Sequence, residues 1–105
     1  MPDFIFDEEV TDTRHGRFTA RLPEHEGLAE ITFTRRKPGL ISADHTGAPD
    51  SLRGTGAAAA LVAHMVAHAR AQRLRILPLC PYIRAQYRRN PDWADVMTLA
   101  PGENP

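Results

Sequence analysis

The sequence predicts a mixed α+β domain: a mostly antiparallel sheet, one long helix, one further strand and a short C-terminal helix. Three observations carry that expectation. Apolar and polar residues alternate with period two through residues 14–22 and again through 28–35. From Thr55 to Gln72 the residues are strong helix formers, chiefly alanine. A short apolar run at 74–79 then precedes Pro81, a residue suited to opening a helix. Period two marks a half-buried strand, whereas recurrence every three to four residues marks a helix that buries one stripe.

The elements follow in order. Residues 3–6 are short and apolar-rich, as for a first strand. In 14–22, Phe18, Ala20 and Leu22 share one face. Pro-Glu-His-Glu-Gly at 23–27 is a turn. In 28–35, Ala29, Ile31 and Phe33 share one face, Thr32 and Thr34 the other. Lys37-Pro38-Gly39 turns the chain again, and 40–46 supply another strand. These four pieces form an antiparallel meander with short links. Gly47, Pro49, Asp50 and Ser51 then mark a loop. In the helical stretch, Ala58, Leu61, Val62, Met65, Val66 and Ala69 fall on a core-facing stripe. Arg70 and Arg73 sit near its C-terminal end, where the helix dipole favours cations. Residues 74–79 read as a buried strand and 81–89 as a helix with Pro81 in its first turn. Asn90-Pro91 ends that helix. Trp93, Val96 and Met97 pack a last turn onto the body, and 100–105 are expected to fray. Residues 1–105 are read as one domain without internal repeats.

Composition bounds the function. No apolar run approaches the roughly 20 residues of a membrane-spanning helix. The acidic start, Met1-Pro2-Asp3-Phe4, has no secretory signature. The single cysteine, Cys80, forms no internal disulfide, and a reducing cytoplasm suits it. Net charge is zero, but residues 1–50 carry 6 basic and 10 acidic side chains, and 51–105 carry 7 and 3. No acid lies between Ser51 and Pro91, where seven arginines do. That is either a solvated basic face or a site for a small polyanion, since the guanidinium fork suits phosphate. Nucleic acid is not expected as a partner, because the whole domain is neutral, nor is a membrane, for want of a long apolar run.

The stretch Arg53-Gly54-Thr55-Gly56-Ala57-Ala58 stands where a loop feeds the long helix. First-turn amides lack intrahelical partners, and the dipole adds partial positive charge there. Glycines let the backbone approach a ligand and adopt positive φ. The result is a cradle for phosphate. The P-loop pattern fails, because no Gly-Lys-Ser/Thr follows. Gly54-Thr55-Gly56-Ala57-Ala58-Ala59 satisfies the dinucleotide fingerprint literally, yet no carboxylate stands near 76–80 to bind a ribose. The remaining claimant is Arg/Gln-x-x-Gly-x-Gly/Ala, which Arg53, Gly56 and Ala58 fit.

The wider succession is His45-Thr46, Pro49, Leu52-Arg53-Gly54, Gly56, Ala69-Arg70, Ile76-Leu77-Pro78-Leu79-Cys80, Tyr82, Tyr87-Arg88-Arg89 and Pro91. It resembles the short GNAT-like acetyltransferases over residues 18–96. The resemblance implies a minimal GNAT fold and acetyl-CoA as cosubstrate, with no metal. It places the diphosphate on Arg53, Gly54, Thr55, Gly56, Ala57 and Ala58, and the pantetheine alongside Thr46 and Ala48. It brings Cys80, Tyr87 and Arg88 to the cofactor as well. Ala48 and Ala57 depart from the family, which usually has a larger apolar residue at the first position and often isoleucine at the second. The helices with which larger GNAT enzymes grip their acceptors have no room in this chain.

Three residues are candidates for catalysis. Cys80 stands where a strand ends and a helix begins, a position that depresses a thiol pKa. It either accepts the acetyl group or lines the pocket. His45 is a candidate base and otherwise a strand-end histidine. Tyr82 is a candidate acid for the departing thiolate. His64 and His68, spaced i, i+4, lack the further ligands of a zinc site and are expected at the surface or an edge. The reading is an acetyl-CoA-dependent N-acetyltransferase acting on a primary amine of a small molecule or protein, as monomer or homodimer. The alternative is a CoA-binding module without transfer activity.

Overall fold

The computed structural model describes residues 3–99. The elements run β1 (Ile5–Val10), β2 (His15–Arg21), β3 (Ala29–Lys37), β4 (Leu40–Gly47), α1 (Ala57–Gln72), β5 (Arg75–Pro78) and α2 (Pro81–Arg89). The strands form one sheet in sequence order. The first four are antiparallel, and β5 joins parallel to β4. The parallel step follows from α1, which carries the chain back to the starting end of the sheet, as a crossover between parallel strands must. This is the expected mixed α+β class.

Period two dictates the sheet's inner face. Phe18 pairs with Ile31 and Ala20 with Ala29, all at 2% exposure or less. α1 covers them with Leu61, Val62, Met65 and Val66, which are as deeply buried. Each such leucine or valine contributes about 1.5–3 kcal/mol relative to exposure. Both helices lie against the same sheet, α1 over β2 and β3, α2 over β4 and β5, and they touch each other.

Four details differ from the sequence reading. β1 begins later and runs to Val10, through Asp7, Glu8 and Glu9. As an edge strand it is held mainly by its ladder to β2, from Ile5–Arg21 to Val10–Gly16, with Phe6 packing against the core. α1 starts at Ala57 rather than Thr55, because Thr55 is spent on the cap. β5 is four residues, shorter than the apolar run that announced it. His64 and His68 are half-buried under β1: the His64 ring stacks on Phe6 at 4.2 Å, and His68 Nε2 lies 3.5 Å from Glu8 Oε1.

After α2 a 3-10 turn, Pro91–Asp95, returns the chain to the sheet. Trp93, Val96 and Met97 are buried there, as expected. Ile76 on β5 accepts from the Thr98 amide and donates to the Val96 carbonyl, which closes that edge. Arg70 grips Asp95 through two bonds of 2.8 Å, and Arg75 donates to Thr98 Oγ1 and to the Asp95 and Met97 carbonyls. The expected fraying of 100–105 falls outside the described residues.

Candidate functional site

Two local events build the site. The first is a parting of strands. β4 and β5 pair from Leu40–Arg75 to Ala43–Pro78. The amides of Leu79 and Cys80 both reach the Ala43 carbonyl, at 3.0 and 3.2 Å. Beyond that point β4 continues to Gly47, while the other chain turns into α2 at Pro81. On its other side β4 shifts register between Thr32 and Phe33 on β3, with Asp44 as the additional residue. Such bulges re-aim side chains and bend a strand. Asp44 is anchored by hydroxyls of Thr34 and Ser42, each at 2.6 Å.

The second event is the entry into α1. A 3-10 turn, Asp50–Leu52, leads to Gly54 and Gly56, both at φ +81°. That left-handed geometry is cheap only for glycine. An added Cβ at either would meet no protein atom within 4 Å, so conformation and not space demands glycine. Gly56 is the N-cap and offers no side chain to the helix. Thr55 Oγ1 donates to the Leu52 carbonyl at 2.6 Å and accepts from the Ala57 amide at 3.2 Å. Ala58 and Ala59 are left with amides that have no carbonyl inside the helix to bond.

A cleft of about 290 Å³ lies at this turn. Of the residues expected in the site, Ala48, Arg53, Gly54, Gly56, Ala57, Ala58 and Tyr82 line it. Asp50, which the sequence reading places only in a loop, also lines it and holds Arg53 Nη2 at 2.9 Å. Its proximity to the arginine motif was the available signal. Thr46 and Cys80 lie beside the parting strands, not in the cleft wall: Cys80 Sγ is 3.4 Å from Thr46 Oγ1. Thr55, partly buried, is outside this cleft and lines a neighbouring cavity with Leu22, Pro23 and His25. Tyr87 packs against the core and Arg88 is exposed on α2. His45 pairs with Thr32, whose neighbours Ile31 and Phe33 are buried on the helix-covered face, so the histidine belongs to the open face of the sheet.

Electrostatics separates Cys80 from Tyr82. Burial pushes the Cys80 thiol up, but Thr46 and the amides of Ile83 and Tyr82 together outweigh it, and the thiol pKa ends below its ordinary value. Those α2 amides face the sulfur without closing a capping hydrogen bond. Cys80 is nonetheless 6% exposed. Tyr82 shifts the other way: burial raises its pKa, Arg89 lowers it less, and the nearby Cys80 adds to the rise. Tyr82 therefore keeps its proton through neutral pH while bordering the cleft.

The comparisons with known proteins agree with this geometry. The family described as GCN5-related N-acetyl-transferase matches residues 17–96. A GCN5-like protein from Staphylococcus aureus, whose N-acetyltransferase assignment is provisional, has an NMR solution structure that superposes with a TM-score of 0.67 at 26% identity. The match covers 98% of this chain and 96% of that one. No curated protein matches. No helix among the described residues is long and apolar enough to cross a membrane. A glycine-capped helix start, a bulged strand parting from its parallel neighbour and a family match over most of the length lead to one assignment: the chain belongs to the GCN5-related N-acetyl-transferase family and is an acyltransferase.

Proposed function

We propose that the protein transfers acetyl from acetyl-CoA to a primary amine, in a reducing, cytoplasmic setting. The observation that carries the reading is the first turn of α1, whose free amides border a cleft shared by Arg53, Gly54 and Tyr82. Amides and helix dipole suit the diphosphate there. Ala48 and Thr46 then lead along β4 toward the gap between β4 and β5, the place for the thioester.

In the reaction the amine nitrogen, freed of its proton, attacks the thioester carbonyl carbon. A C–N bond forms, the C–S bond breaks and the CoA sulfur leaves with the electron pair. Most of the acceleration comes from holding the two reactants together and from donors aimed at the oxyanion. Tyr82, protonated at neutral pH, supplies the proton to the departing thiolate. His45 takes the amine's proton from the open face of the sheet. Cys80 borders the thioester from the α2 side, and direct attack by the amine leaves it unacylated. Arg88 and Tyr87 assist cofactor binding from α2.

The test is release of free CoA thiol from acetyl-CoA with a panel of amines, beside calorimetry with CoA. Amine-dependent release with measurable binding is expected. Binding with no release for any amine would remove the transferase reading, and no binding would remove the site.

A further inference from the structure

The cleft at the start of α1 is small for the whole cosubstrate. At about 290 Å³ it lies at the foot of the roughly 300–1,000 Å³ range of small-molecule sites, and CoA is a long ligand. A further cavity of about 400 Å³ adjoins it. Gly54 belongs to both walls and puts no side chain between them.

The turn between β2 and β3 builds this cavity: Leu22, Pro23, Glu24 and His25 line it, with Asp3 and Thr55. The turn is closed by the His25 amide, which donates to the Leu22 carbonyl at 3.1 Å. It is fastened to the loop that opens α1. Ser51 Oγ donates to the Glu26 carbonyl at 2.6 Å, and a Cβ added at Gly27 would come within 2.9 Å of Pro49 Cγ. The two cavities are therefore held side by side. Their chemistry differs. Pro23 and His25 present flat, exposed surfaces next to the buried Leu22. Asp3 and Glu24 are exposed, and neither pairs with a described residue. No lysine or arginine lines the cavity among the described residues. Ionised carboxylates only accept hydrogen bonds, so the site suits a flat, uncharged group with N–H donors and repels phosphate.

We propose that this cavity holds the adenine of CoA, an inference that rests on the diphosphate reading at the start of α1. Direction supports it. Strand order puts the β2–β3 turn on the side of β4 away from β5. A CoA with its thioester in the β4–β5 gap and its diphosphate on the first turn of α1 brings its nucleoside out on that side. The purine covers Pro23 and His25, and its amino group donates to Asp3 or Glu24. The rival occupant, the acceptor amine, suits the carboxylates but not the place. The cavity stands about two strand spacings, roughly 10 Å, from the gap, whereas attack needs about 3–3.5 Å.

The experiment is calorimetry of the full chain with CoA and with etheno-CoA, whose extra ring removes the amino donors of the adenine. Amide shifts of the ¹⁵N-labelled chain are followed with CoA and with phosphopantetheine, which lacks the nucleoside. CoA should bind about tenfold more tightly than etheno-CoA, the worth of one hydrogen bond to a charged group. It should shift the amides of Leu22, Glu24 and His25, which phosphopantetheine should leave in place. Asp3→Ala combined with Glu24→Ala should close the difference between CoA and etheno-CoA. Equal affinities on the unaltered chain, CoA shifts that miss residues 22–25, or a double variant that still discriminates would each overturn the adenine placement and leave the diphosphate reading standing. No CoA binding at all would remove both. The ligand comparison on the unaltered chain decides the matter even where the double variant fails to fold.

Discussion

Cys80 and Thr46 meet across the gap where β4 and β5 part, with 3.4 Å between Sγ and Oγ1. The thiol donates to the hydroxyl; the thiolate, when formed, accepts from it. Thr46 can serve both states because its hydroxyl is donor and acceptor at once. The contact ties the end of β4 to the first turn of the helix that carries Tyr82.

If the amine attacks directly, Cys80 stays unacylated. Intact-mass analysis after exposure to acetyl-CoA should then show no hydroxylamine-sensitive acetyl adduct, and Cys80→Ala should keep activity within about tenfold of the parent, because positioning survives. The pH profiles should nevertheless separate. Ionised Cys80 puts negative charge beside the leaving CoA sulfur and opposes its departure. Since the thiol pKa is lowered, the parent's rate should begin to fall at a pH below the ordinary thiol range, and the alanine variant should lack that limb. A stable adduct, or a dead Cys80→Ala that still binds CoA, would make the cysteine the nucleophile instead.

Ala58→Asp separates folding from binding at the α1 cap. A carboxylate in the first turn favours the helix dipole and should leave stability unchanged or raise it by about 0.3–1 kcal/mol. The same charge faces the proposed diphosphate and should weaken CoA by about tenfold or more. Thermal melting and calorimetry on the same sample check both halves. Gly56→Val is a poorer probe, because φ +81° strains any β-branched residue before a ligand is considered.

Much of this was legible in the chain. Phe18, Ala20, Ile31 and Phe33 announced the inner sheet face by alternation alone, and Pro81 and Asn90 marked the limits of α2, because these signals are local. The charged stretch Asp7-Glu8-Glu9 hid most of β1, since an edge strand is held by backbone bonds that leave no apolar pattern. Thr55 looked helical by composition but is diverted into capping, a choice set by the left-handed Gly56. The Cys80–Thr46 contact joins residues 34 apart and depends on where two strands cease to pair. Nothing in the spacing alone gives that register; the family resemblance brought both residues to the cofactor, not to each other.

Among the described residues Asp50 is the one acid in the cleft wall, and it occupies Arg53. Their ion pair is highly exposed, at 81% and 91%, so its own contribution to stability is small. Asp50→Asn should free the guanidinium and remove a like charge from the proposed diphosphate site. CoA affinity should rise by roughly two- to fivefold at low salt. The gain should shrink as ionic strength shortens the Debye length. Calorimetry at two salt concentrations checks it, and a loss of affinity would mean that the pair orders the loop for binding.

The C-terminal segment supplies a pH test unconnected to binding. Arg70's two hydrogen bonds hold the Asp95 carboxyl below the usual carboxylate range. A carboxylate whose pKa is lower folded than unfolded stabilises the fold above its unfolded pKa, and that stabilisation is lost as pH falls through the folded one. The parent's melting temperature should therefore drop on acidification below the ordinary carboxylate pKa partly through this group. Asp95→Asn should melt lower at neutral pH and show a shallower decline across the same acid window. Arg75 keeps its bonds to the Met97 carbonyl and Thr98 in that variant, so the segment should remain docked and the effect should stay local. Parallel acid curves for the two proteins would show that the Arg70 pair contributes nothing to stability.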